Sequence, residues 1–167
     1  MFGFKKKEEE KKVLATQNGK VIELEEVPDE VFAQKMLGDG VAIIPESNEI
    51  CSPVSGTIIQ VPDTLHAYGI QTDDGLDILV HIGINTVELK GEGFESLVKE
   101  GDKVKAGDVI AKADLDLIKS KNYEIHTPIL ITNFDEVKSF SKNLGSAKAG
   151  ETVIFTYKKW VFMYITE

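Results

Sequence analysis

One cysteine, Cys51, is all the thiol this chain has. That excludes an internal disulfide and a cysteine-based zinc site, and it points to a reducing compartment. No nucleophile motif surrounds Cys51, which reads as a small buried hydrophobe. No apolar run approaches the roughly 20 residues that a membrane-spanning helix needs. The opening Met1-Phe2-Gly3-Phe4 meets charge at once, without the apolar region of a secretory signal, so the cytoplasm is the expected location. Positive charge is in deficit: 19 lysines, with no arginine, stand against 28 aspartates and glutamates, a net charge of −9. A nucleic-acid binder needs clustered positive charge, so that class is excluded, whereas a partner with a basic docking face suits the balance. There is no Gly-x-x-x-x-Gly-Lys loop and no kinase signature, which argues against a nucleotide as phosphoryl donor.

At 167 residues the chain suits one domain, and 42% hydrophobic with 28% charged residues is ordinary for a globular protein. Residues 1–12 read as a tail, because Lys5 to Lys12 is a run of charge with only Phe2 and Phe4 to offer a membrane surface. Residues 160–167 read as an extra strand or a tail. Between them, 13–159 form the folded domain. Gly19 to Val27 is expected as a turn and strand ended by Pro28. Asp29 then caps about two helical turns, through Val31 and Phe32 to Leu37, broken at Gly38. Strands are expected at Val41 to Ile44, at Gly56 to Val61 and in a hairpin around Asp74-Gly75. Short helices are expected at Phe94 to Glu100, Asp114 to Lys121 and Asn133 to Lys142. Lys105-Ala106-Gly107-Asp108-Val109-Ile110 is echoed, with one insertion, by Lys148-Ala149-Gly150-Glu151-Thr152-Val153-Ile154. Short strands at turn-punctuated intervals and a duplicated strand–turn unit imply an all-β, compact antiparallel sandwich or barrel with a few short helices.

The hairpin is where the chemistry concentrates. Leu76, Ile78, Val80 and Ile82 alternate with Asp77, Leu79 and His81, so the first set faces a core and His81 points away from it. A two-residue loop at Asp74-Gly75 would pair Asp73 with Leu76, Tyr68 with His81, and His66 with Gly83. His66 and His81 then become diagonal neighbours on one face, roughly 7–8 Å apart at the backbone. Thr64 can orient His66 through its hydroxyl, and the Gly83 carbonyl can accept from one ring nitrogen of His81. A ring nitrogen held as a donor leaves the other with a free lone pair, a good nucleophile toward phosphorus. His66 is then placed to donate to the phosphoryl oxygens.

Val27-Pro28-Asp29-Glu30-Val31-Phe32-Ala33, Leu37-Gly38-Asp39-Gly40, Ser52-Pro53-Val54-Ser55-Gly56 and the run Val80-His81-Ile82-Gly83-Ile84-Asn85-Thr86-Val87-Glu88-Leu89-Lys90-Gly91-Glu92-Gly93-Phe94 carry a resemblance. They resemble the glucose-type IIA component of the bacterial sugar phosphotransferase system, over roughly Val13 to Lys159. The resemblance implies a duplicated hybrid-motif β-sandwich. It implies that His81 is phosphorylated on Nε2 by the histidine-containing phosphocarrier HPr and passes the phosphate to a cysteine of a IIB domain. His66 matches the second active-site histidine, with Thr64 and Gly83 supporting. Val31, Phe32 and Leu79 become apolar docking contacts, expected to be partly exposed, with Asp29 on an acidic rim. Asn85 departs from the family's usual Asp, which weakens steering of basic HPr more than chemistry. His126 stands where the family is usually apolar and reads as an exposed or core-edge histidine. No cofactor is required. Some family members bind zinc between the two histidines in complexes with regulated target enzymes; His66 and His81 alone half-fill a tetrahedral site, so a partner would complete it.

Two other classes share features with this sequence. Val104-Lys105-Ala106-Gly107-Asp108 also resembles the turns of biotinyl and lipoyl carriers, but the obvious hairpin tip holds Asp74-Gly75 in place of a lysine. A zinc endopeptidase of related architecture needs a His-x-His pair, and the sequence has none.

Overall fold

In the computed structural model of the protein, the described residues are 9–161, with the backbone of 2–3 and 165–166. The expectations for the rest of the charged tail and of the C-terminal run lie outside them. In chain order the strands are β1 (Phe2–Gly3), β2 (Lys11–Leu14), β3 (Gly19–Glu23), β4 (Asp39–Pro45), β5 (Glu49–Cys51), β6 (Gly56–Gln60), β7 (Ala67–Thr72) and β8 (Asp77–His81). There follow β9 (Phe94–Ser96), β10 (Lys103–Val104), β11 (Val109–Ala113), β12 (Thr127–Ile131), β13 (Val137–Lys142), β14 (Gly145–Ala147), β15 (Val153–Lys159) and β16 (Ile165–Thr166). The helices are α1 (Glu30–Ala33) and α2 (Leu115–Ser120).

Eight strands form one sheet in the order β10-β6-β7-β8-β12-β4-β3-β14, and two three-stranded sheets, β5-β11-β9 and β13-β15-β2, complete the sandwich. The histidine strand β8 pairs antiparallel with both of its neighbours, β7 and β12. The inward set of the hairpin behaves as its alternation requires: Leu76, Ile78, Val80 and Ile82 are each at most 1% exposed. They join Val13, Ile50, Ile110, Ile129, Phe155 and others in one cluster drawn from all three sheets. A second, smaller cluster of Ile22, Leu24, Val27, Phe32, Ala42, Ile84 and Leu130 lies on the other side of the large sheet, with Leu79 packed on it.

The sequence echo is a structural duplication. Ala15 donates to the Thr152 carbonyl at 2.8 Å and accepts from the Gly150 N–H at 2.8 Å. Ser52 makes the matching pair, donating to Asp108 at 2.7 Å and accepting from Gly107 at 2.8 Å. The two turns meet: a Cβ built on Gly150 would stand 3.4 Å from the Gly107 Cα, and both glycines have positive φ, +71° and +95°. A side chain would meet the facing turn only at van der Waals distance, so it is the left-handed backbone that calls for glycine at both positions.

Three local expectations are corrected. Phe94 to Glu100 is no helix: Phe94–Ser96 pairs along β11, and half-buried Phe94 and Ser96 flank exposed Glu95 with the period of a strand. Asn133 to Lys142 gives one 3-10 turn, Phe134–Glu136, before β13 runs along β15. In both segments, pairing with an available strand edge outweighs a weak helical preference. The helix after Asp29 is one turn, not two. Lys35 adopts φ +58°, and Met36 and Lys35 donate back to the Val31 and Phe32 carbonyls, a Schellman closure that ends α1 before Gly38. Asp29 is the N-cap as expected, accepting from the Val31 N–H at 2.8 Å, and Asp114 caps α2 in the same way through Leu117.

Candidate functional site

The hairpin register differs by one residue from the expected one. Ala67 lies opposite His81 and Tyr68 opposite Val80, and the loop is Asp73-Asp74-Gly75. Thr72 decides this. Its N–H reaches the Leu76 carbonyl at 2.8 Å, and its hydroxyl accepts from the Leu76 N–H at 2.9 Å and contacts the Asp74 carboxylate. A three-residue loop with Gly75 at φ +91° satisfies these bonds; the two-residue loop would not.

A slip of one residue should carry a strand partner to the opposite face. His66 escapes this because it precedes β7, where the pleat does not yet bind it. Leu65 takes φ +58°, turning the chain just before His66, whose carbonyl accepts from the Ile82 N–H at 2.7 Å. The two imidazoles meet edge to face, with ring centroids 5.0 Å apart and planes at 79°.

Each ring is held at Nδ1. His81 Nδ1 lies 2.8 Å from the Gly83 carbonyl oxygen, and His66 Nδ1 lies 2.8 Å from the Thr64 hydroxyl. A carbonyl can only accept, so the proton of neutral His81 sits on Nδ1 and the lone pair on Nε2. Burial holds His66 down to about 4, and the neighbouring His81 pushes the same way. His81 is also lowered, mainly by burial, against the opposing pull of the Gly83 carbonyl and the Asp29 carboxylate. Both rings are therefore neutral near pH 7, the state a nucleophile needs.

Gly83 has φ +76°, and a Cβ there would come within 2.5 Å of Thr86 Cγ2 and 3.0 Å of the Glu124 carbonyl. Only glycine brings that carbonyl to the histidine. Thr86 is a residue the sequence reading passed over: it is fully buried, and its hydroxyl donates to the Ile82 carbonyl at 2.5 Å. A Thr four residues beyond Ile82 in the recognised motif was the available signal.

The docking candidates divide. Phe32, expected to be partly exposed, is buried at 5%, its ring 4.9 Å from that of His81. The single turn of α1 lays it onto the smaller apolar cluster. Val31, its neighbour, is 39% exposed. Leu79 is half-buried on the face it shares with His81, opposite Gly69 and Leu130. Asp29 is half-buried, and Asn85 is exposed at φ +61°, a left-handed conformation that Asn tolerates better than most residues. His126 stays outside the ring pair; its Nδ1 is buried without a hydrogen-bond partner, 3.6 Å from the Glu124 carboxylate. Cys51 is buried, as expected.

An antiparallel sandwich with a buried and a half-buried imidazole set edge to face, each held at Nδ1, defines a class. The family described as phosphoenolpyruvate-dependent sugar phosphotransferase system, EIIA 1, matches residues 11–137, and the chain belongs to it. It is thus a phosphocarrier component of the phosphotransferase system for sugar uptake, in a family whose members work with HPr and IIB domains.

Its particular relatives carry one name. A PTS system glucose-specific EIIA component from Halalkalibacterium halodurans is 47% identical over 151 residues, covering 90% of this chain and 87% of the relative. The protein of the same name from Haemophilus influenzae is 43% identical over 160 residues, covering 95% and 96%. Among solved structures, glucose permease IIA from Mycoplasma capricolum superposes with a TM-score of 0.84 at 44% identity, covering 88% of this chain and 96% of that one. Among the described residues, no helix is long and apolar enough to cross a membrane.

Proposed function

We propose that His81 is the residue that carries the phosphoryl group. The observation behind this is the Gly83 carbonyl at 2.8 Å from His81 Nδ1, which leaves Nε2 as the free nucleophile. The Nε2 lone pair attacks the phosphorus of phospho-HPr; the new N–P bond forms as the donor's N–P bond breaks, and the donor imidazole leaves. In the second step a IIB cysteine thiolate attacks the same phosphorus, an S–P bond forms, and His81 departs as a neutral ring. His66 contributes through the nitrogen that Thr64 does not occupy, donating to the phosphoryl oxygens as charge redistributes. A second neutral imidazole accepts this role without repelling an incoming cationic partner.

Val31 and Leu79 form the apolar contact, with Asp29 and Asn85 at its rim, and Phe32 supports the His81 ring from beneath. The permease served is of the glucose class by the naming of the relatives, and the site of action is the cytoplasm. A zinc ion would be held by the Nε2 atoms of His66 and His81, since both Nδ1 atoms are engaged. Among the described residues no group of three or more His, Cys, Asp or Glu could hold a metal ion, so a regulated partner would complete the site.

Reconstitution with enzyme I, HPr and phosphoenolpyruvate tests the assignment. Wild type and His126→Ala take up acid-labile label, and His81→Ala takes up none. Acid-stable label, or label retained by His81→Ala, overturns it.

A further inference from the structure

Behind the His81 imidazole lies a second layer that the transfer chemistry does not itself use. Thr86 is fully buried, yet it is polar. Its hydroxyl donates to the Ile82 carbonyl at 2.5 Å. Its methyl backs Gly83 so closely that a Cβ there would sit 2.5 Å away. Ile82 and Gly83 are the two residues that follow His81, and the Gly83 carbonyl is the atom that selects the tautomer of His81. The far side of the same turn is braced as well. The Glu124 carbonyl accepts from the Ile84 N–H at 3.0 Å, and the Tyr123 hydroxyl donates to Glu88 at 3.0 Å.

We infer that Thr86 is a positioning residue for phosphoryl transfer, its hydroxyl fixing the Ile82–Gly83 peptide so that the Gly83 carbonyl stays aimed at His81 Nδ1. The inference rests on His81 as the nucleophile. The physical reason is the sharpness of the turn. Gly83 at φ +76° has no side chain to define its direction, and Asn85 at φ +61° follows within two residues. The aim of the carbonyl therefore depends on the two peptides that flank Gly83. The Ile84 N–H, on the Gly83–Ile84 peptide, is held by the Glu124 carbonyl, and Thr86 holds the Ile82–Gly83 peptide from inside the turn. Without the Thr86 hydroxyl only one of the two is fixed, and Gly83 gains freedom to turn its carbonyl from Nδ1. In the fraction of molecules where it does so, the proton of His81 is free to move to Nε2 and the nucleophilic lone pair is lost. A displacement of a reacting group by about 1 Å costs of order 10²-fold in rate.

Two variants separate the hydroxyl from the shape. Thr86→Val keeps the volume and removes the donor; Thr86→Ser keeps the donor and removes the methyl. In the unphosphorylated protein, the 15N chemical shifts of His81 report its tautomer directly. Wild type and Thr86→Ser should show the Nδ1–H form, and Thr86→Val a mixture. With phospho-HPr as donor, Thr86→Val should accept phosphate about tenfold or more slowly at saturating donor, with the apparent KM unchanged and Thr86→Ser near wild type. A folded Thr86→Val with the wild-type tautomer and rate overturns the inference. So does a Thr86→Ser that falls as far as Thr86→Val, because that would make the effect packing alone. If Thr86→Val does not fold, a Thr86→Ser with a mixed tautomer overturns it. The tautomer is read without phosphate, so a failure of His81 as acceptor would appear separately, as label on another residue.

Discussion

At the scale of single residues, the site depends on which nitrogen of each ring is occupied. His66 differs from His81 in what holds it: a hydroxyl, which can donate or accept, instead of a carbonyl, which can only accept. That makes His66 the adjustable member of the pair. His66→Gln keeps a donor but loses the ring's reach, so it should still take up phosphate on His81 while passing it to a IIB cysteine ~10²–10³ times more slowly. Single-turnover transfer from purified phosphoprotein to excess IIB measures this, and equal rates would make His66 a bystander. Protonation acts on the same pair. Folding lowers His66 from its ordinary value to about 4, so the unfolded chain binds the extra proton first as pH falls. The stabilisation is complete above about pH 6.5 and is lost as pH drops toward 4. Thermal midpoints measured across that window should fall for wild type and fall less for His66→Gln.

Among the elements, α1 is the informative one, because a single turn gives adjacent residues opposite fates. Phe32 turns inward against His81 and the smaller apolar cluster, and Val31 turns outward. Phe32→Ala should therefore cost ~3–5 kcal/mol in chemical denaturation, as for other large-to-small changes at buried aromatic positions. Val31→Lys should leave the midpoint nearly unmoved and weaken HPr binding, read by titration calorimetry. If Val31→Lys unfolds the protein instead, Val31 belongs to the core. The hairpin is the other decisive element. Its alternation assigns Ile78 and Val80 to the core whatever the loop, but the loop sets which residue of β7 faces His81.

For the molecule as a whole, charge and duplication matter most. A net charge of −9 favours association with a basic partner, and Asn85, four residues after His81, is exposed and carries no carboxylate. Asn85→Asp should speed association with HPr at low salt, with the gain shrinking as salt rises, and leave the rate of transfer within the complex unchanged. Stopped-flow association at two ionic strengths decides it; a change in the transfer rate alone would place Asn85 in the chemistry. Gly107 and Gly150 meet back to back, each tied to a matching strand through Ser52 and Ala15, which joins the two halves of the sandwich by backbone contact.

Much of this was legible in the chain itself. Alternation from Leu76 to Ile82 determined which residues build the core, because burial selects for period two along a strand. Asp29 announced its helix, because a short carboxylate before a helix satisfies free N–H groups locally. The motif around His81 contained the proposed nucleophile, the carbonyl that orients its ring and the glycine that makes this possible. Tertiary structure alone decided the rest. Whether Phe94 to Ser96 became strand depended on the free edge of β11, and whether Phe32 was core depended on a cluster gathered from distant strands. The meeting of His66 with His81 depended on Thr72 setting the loop and Leu65 turning the chain outside the pleat. Local pattern determines what is decided between neighbours in sequence; partners brought together by folding decide the rest, because their energies do not exist until the chain has closed.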